Sequence, residues 1–233
     1  MNELYLLTIS AASLGFIHTL FGPDHYLPFI VLSKARKWSQ AKTLWITFAS
    51  GVGHVGSSVL IGILGIALGI SLNKLEAFEA GRGNMVGWMI VAFGFLYSIY
   101  GLFKFFNNGV HAHLPNFLKP KSIRNMNHAG EISEDKEKSK SLTPWILFLI
   151  FVFGPCEVLI PMLIFPAAEK STMGIVLVSL VFGISTILTM LTVVYMGYRG
   201  LGFIKLKNKE KYLHLLAGLI ILISGVGITF LGW

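Results

Sequence analysis

The sequence predicts an all-α integral membrane protein: six transmembrane helices forming two inverted-topology three-helix repeats, each with a broken first helix. Three observations predict it. Of 233 residues, 54% are hydrophobic and only 13% are charged, with mean hydropathy +0.70, which is a membrane composition. Six apolar stretches, 4–32, 43–73, 85–106, 144–167, 174–197 and 213–233, are each long enough to cross about 30 Å of hydrocarbon. A pattern also recurs at a near-constant offset. Gly22-Pro23-Asp24 returns as Gly154-Pro155-Cys156 and Gly51 as Gly183, both 132 residues on, which sets Thr186 opposite His54. Gly87, Gly94 and Gly101 return as Gly218, Gly225 and Gly232 at an offset of 131. With three spans per copy, the second copy is inverted, an architecture found in transporters.

The first span opens at the N-terminus. Met1-Asn-Glu-Leu-Tyr lacks a basic region and a small-residue cleavage site, so it reads as the start of that span and not as a signal peptide. The linkers set the orientation. Lys34, Arg36, Lys37 and Lys42 fill the first; the second balances Lys74 and Arg82 against Glu76 and Glu79. The third, 107–142, is the one soluble segment and is expected to be a partly mobile cytoplasmic linker. It separates a first three-helix repeat, 1–106, from a second, 143–233. Glu169 and Lys170 form the fourth linker; Arg199, Lys205, Lys207, Lys209 and Lys211 dominate the fifth. Basic loops stay cytoplasmic, so loops 34–42, 107–142 and 198–211 face the cytoplasm and both termini face outward. The glycines of the third spans read as packing seams.

The formal net charge of +8 belongs to these loops, so the expected partner is the lipid bilayer and not nucleic acid. A single cysteine, Cys156, excludes an intrachain disulfide. No nucleophile–base pair or phosphate loop stands out, so no enzyme and no prosthetic group are expected. Assembly into a homo-oligomer is left open.

The functional reading starts from polar groups placed where a membrane helix should be plainest. An ionised side chain at bilayer depth costs about 2.5–3.5 kcal/mol on insertion scales, and Asp24 and Glu157 are the acidic residues read as lying well inside spans. His18, His25 and His54 join them; His54 sits in Ser50-Gly-Val-Gly-His54-Val-Gly-Ser-Ser, where small neighbours allow close helix approach. Proline removes a donor and clashes with the preceding turn, so half-helices are expected to restart near Pro23 and Pro155. Asp24 with His25, and Cys156 with Glu157, then fall in the first turns. Imidazole, carboxylate and thiolate together suit a first-row transition ion. The expected metal residues are His18, Asp24, His25 and His54, with Cys156 and Glu157 as accessories. Each has a plainer reading as an interhelical hydrogen-bonder or packing residue. On an unbroken helix His18 and His25 stand about 10.5 Å apart along the axis, too far for one ion. Either the break folds them together or they serve successive stations. His111, His113 and His128 read as solvated loop residues, and His214 as structural.

His18-Thr-Leu-Phe-Gly-Pro-Asp24-His25 resembles the His-x4-Asp-His signature of the nickel/cobalt transporter family and its urease-accessory-type relatives. Ser50-Gly-Val-Gly-His54-Val-Gly-Ser resembles the second-helix segment of the same permeases. Here five residues separate His18 from Asp24, and Val55 follows His54 where the family carries a hydroxyl residue. Gly154-Pro155-Cys156 resembles the half-repeat of a wider superfamily that includes amino-acid exporters and DsbD-type thiol transporters of cytochrome c biogenesis. The resemblance implies a permease for a divalent transition metal such as nickel or cobalt, working by alternating access around His18, Asp24, His25 and His54. A small-anion or amino-acid exporter, or a DsbD-type thiol/redox carrier, is the alternative. In the redox reading Asp24 occupies the position where a second cysteine is expected.

Overall fold

The computed structural model describes residues 2–107, 133–156, 158–169, 171–203 and 210–231. Among them every regular element is helical, and five helices are long and apolar enough to cross a membrane. Most of the expected cytoplasmic linker, with His111, His113 and His128, lies outside the described residues, as does Glu157.

Helix α1, Asn2–Phe21, ends where Gly22 donates its amide to His18 O at 2.9 Å. Pro23 has no amide to continue the ladder, and it pushes Gly22 into extended geometry. A single 3-10 turn, Pro23–His25, follows before α2, Leu27–Ala35, resumes with Pro28 in its first turn. The break is closed by local bonds, His25 N to Gly22 O (3.0 Å) and Tyr26 N to Pro23 O (3.4 Å).

Helix α3, Gln40–Ala67, is capped by Ser39, whose hydroxyl accepts from Lys42 N at 3.2 Å. It stops at Gly69, the one described glycine with positive φ (65°), where Ile70 N reaches back to Gly65 O. Helix α4, Leu72–Asn107, corrects the sequence reading. The third span was expected to begin at 85, with Lys74, Glu76, Glu79 and Arg82 in a linker; instead these four residues are helical. Glu79 and Arg82 are buried and paired with each other, so their charges do not mark a loop.

Helices α5, Ser133–Phe153, and α6, Leu159–Ala168, flank the second break. The restart expected near Pro155 comes later, and Cys156 lies in the break, its carbonyl accepting from Leu159 N at 3.0 Å. Helices α7, Thr172–Phe203, and α8, Glu210–Leu231, complete the described chain.

Helix α4 packs along α8, α1 against α7, and α3 against both α5 and α7. The α4–α8 seam is antiparallel and runs on glycine. A Cβ added to Gly94 would meet Leu222 Cα at 2.6 Å, one on Gly101 would meet Leu215 Cα at 2.6 Å, and one on Gly87 would meet the Thr229 hydroxyl at 2.6 Å. Two cores result. One joins Phe29, Leu32, Ile90, Phe151, Met190 and Ile221; the other surrounds Cys156 with Ala11, Leu159, Leu163, Val178 and Phe182. Large apolar side chains such as Tyr5, Phe21, Trp45, Phe103, Met196 and Phe230 point outward, as expected of a surface solvated by lipid. The protein is a multi-pass membrane protein.

Candidate functional site

The first break places His25 where an unbroken helix would not. His18 and His25 have ring centroids 4.9 Å apart, and His54, brought in by α3, is 5.1 Å from His25. The 3-10 turn that carries His25 thus folds it against His18 at the end of α1. Cys156 arrives from the second break. Ligand atoms of His18, His54 and Cys156 all lie within 4.8 Å of one another. His25 and His54 are buried, Cys156 fully so, and His18 is half-buried.

The hydrogen bonds around the rings fix which nitrogen faces inward. His25 Nδ1 lies 3.2 Å from Gly22 O and 3.2 Å from Asp24 Oδ1, both acceptors, so Nδ1 carries the proton. His54 Nδ1 donates to Phe151 O at 3.4 Å. In each neutral ring the Nε2 lone pair is left over. The Nε2 atoms of His18, His25 and His54 are all buried, and none has a hydrogen-bond partner among the described residues. Leaving a buried polar group unsatisfied costs about 1–3 kcal/mol. Two of them, on His18 and His54, belong to residues whose ligand atoms lie close to Cys156, with the His25 ring alongside, a pattern expected of a site that takes a ligand.

Asp24 stands one step back. Its carboxylate holds His25 Nδ1, and neither Asp24 nor His25 belongs to the close group of His18, His54 and Cys156 ligand atoms; a carboxylate that orients an imidazole is an arrangement known for metal-binding histidines. The glycines of both Gly-Pro steps make room for imidazoles. A Cβ on Gly22 would sit 2.6 Å from His25 Nδ1, and one on Gly154 would sit 3.1 Å from His54 Nδ1.

A cavity of about 1050 Å³ is lined by His18, Asp24, His25 and His54 together with Asn84 and Thr229. Asn84 lies in the first half of α4 and Thr229 near the end of α8, so the lining reaches residues on the side where α4 begins and α8 ends.

Two residues that the sequence reading put in a linker belong to the surroundings of the site. Glu79 is 1% exposed and pairs with Arg82; Oε2 accepts from Ser58 Oγ at 3.2 Å and from Cys156 N at 3.3 Å. Spacing is the signal that would have found them. Leu75, Glu79, Arg82, Val86 and Ile90 recur at helical intervals, and all five are buried. Of the expected site residues, the fold brings together His18, His25, His54 and Cys156, with Asp24 behind His25.

Comparison with known proteins gives one match. A family model described as the cytochrome c biogenesis protein transmembrane region covers residues 27–227. It includes His54 and Cys156 and begins just after His18, Asp24 and His25. No curated protein and no solved structure matches the chain. Of the resemblances drawn from the sequence, the match supports the DsbD-type one and not the nickel/cobalt one.

Proposed function

Since the chain belongs to the family of cytochrome c biogenesis transmembrane proteins, we propose that it is a DsbD-type membrane carrier whose buried site accepts a transition-metal ion as cargo. His25 and His54 supply imidazole nitrogens through Nε2, Cys156 supplies a thiolate, His18 completes the set, and Asp24 orients His25. What carries the reading is the close group of His18, His54 and Cys156 ligand atoms, together with the buried, unpartnered Nε2 atoms of His18, His54 and the neighbouring His25. A His/Cys donor set suits Zn²⁺, Cu⁺, Co²⁺ or Ni²⁺ and not Mg²⁺ or Ca²⁺. Neutral imidazole and thiolate are the binding forms, so protons compete and binding weakens on acidification.

The packing of α1 against α7 and of α3 against α5, with α4 paired to α8, supports two inverted copies with α5 and α6 together making the sixth crossing. Rocking of one copy against the other would expose the site alternately to each side. Basic loops put both termini outside. Metal flux into proteoliposomes tests the reading. His54→Ala should abolish it, and unchanged flux in that variant removes the proposal.

The family match favours a second reading, a thiol/redox carrier, more directly than it favours a nickel or cobalt permease. In that reading the Cys156 thiolate attacks a partner's disulfide. A Cys156–partner mixed disulfide forms, and the partner's other sulfur leaves as thiolate. A second thiol from another protein must then resolve it, because the chain has one cysteine. Cys156→Ser separates the two readings. It ends thiol exchange altogether, whereas metal binding persists on three imidazoles with reduced affinity.

A further inference from the structure

The two helix breaks are satisfied in different ways. In the first, local backbone bonds and His25 Nδ1 account for the freed groups. In the second, beside the local Gly154 N–Phe151 O and Leu159 N–Cys156 O bonds, partners also come from other helices. Arg82 Nη2 donates to Val152 O at 3.3 Å, in the last turn of α5, to Gly154 O at 3.2 Å, in the break itself, and to Ser57 Oγ at 3.0 Å. Cys156 N, the first amide after Pro155, donates to Ser58 Oγ at 2.9 Å and to Glu79 Oε2 at 3.3 Å. Glu79 and Arg82 also pair directly, and both are buried. A cation therefore meets the carbonyl end of one half-helix, and an acceptor meets the amide leading to the next. With no water in the bilayer core, these backbone groups have few other partners.

We propose that Glu79 and Arg82 are positioning residues for Cys156: the pair clamps the Gly154–Cys156 break from α4 and so holds the thiol against the imidazole cluster. Ser57 and Ser58 extend the clamp from the adjacent helix α3. The pair cancels its own charge, so it serves the break without leaving a net charge in the core. The inference concerns where the thiol is held, and it stands whether the cargo is a metal ion or a reducing equivalent.

The test is the rate at which N-ethylmaleimide alkylates Cys156 in the folded, detergent-solubilised full-length chain with no metal added. Thermal unfolding is followed in parallel. The doubly neutral variant Glu79→Gln/Arg82→Met leaves no unpaired buried charge, but it removes the fork that holds Val152 O and Gly154 O. It should alkylate at least tenfold faster than the parent while unfolding at a similar temperature. A pair that merely stabilised α4 would leave the alkylation rate of this variant at the parent value, and that result overturns the proposal. If the double variant does not fold, Arg82→Lys decides. It keeps the charge and loses the fork, so faster alkylation supports the clamp and an unchanged rate refutes it.

Discussion

On the proposed function Asp24 acts through His25, so the two residues should respond differently to substitution. Its carboxylate touches His25 Nδ1 and keeps Nε2 facing the cluster. Asp24→Asn should weaken Zn²⁺ binding by about 10–100-fold, the range seen when partners that orient metal-bound histidines are removed. His25→Ala deletes the donor itself and should weaken it further. Calorimetric titration of the solubilised protein checks both; equal effects would place Asp24 in direct contact with the ion. Gly22→Ala is the steric counterpart. Its φ of −89° is open to any residue, so the constraint is space beside His25 and not backbone freedom. Binding should fall with little change in fold, read by titration alongside circular dichroism.

At the scale of elements, the glycine seam between α4 and α8 gives the sharpest contrast. Gly94→Ala drives a methyl into the backbone of α8 and should destabilise by about 1–3 kcal/mol. Gly81→Ala, where an added Cβ meets nothing within 4 Å, should be neutral or should stabilise by up to about 1 kcal/mol, because alanine is the better helix former. Thermal unfolding in detergent tests the pair. The first break was legible because a Gly-Pro step beside Asp24 and His25 has few uses in lipid. The seam was legible from heptad spacing. The length of α4 was not, because hydropathy treats Glu79 and Arg82 as two costs, whereas three residues apart on a helix they neutralise each other. The late restart of α6 was hidden for a related reason. What holds Cys156 outside the helix is Ser58 and Glu79, far away in sequence.

For the whole molecule, the cavity and the loop charges together make a statement about access. The cavity lining includes Asn84 and Thr229, from the beginning of α4 and the end of α8, whereas Arg36 donates to Tyr97 in the later half of α4. On the proposed orientation, with basic loops on the cytoplasmic side, Asn84 faces outward. In a Cys156→Ser background, Asn84→Cys should react with a membrane-impermeant maleimide added to intact cells, whereas Lys42→Cys should react only after permeabilisation. The reverse pattern would invert the topology. The all-helical membrane class followed from composition and the lengths of the apolar stretches. The meeting of His18, His54 and Cys156 did not, because it depends on packing between helices that no local pattern encodes.

The central claim is that His18, His25, His54 and Cys156 form one site for a transition-metal ion. Anomalous diffraction from crystals soaked with Zn²⁺ tests it most directly. The account predicts a single strong peak among these four side chains, about 2.0–2.1 Å from the imidazole nitrogens and about 2.3 Å from the sulfur. A cluster without anomalous density, in crystals where Zn²⁺ binds only at surface carboxylates, would contradict it.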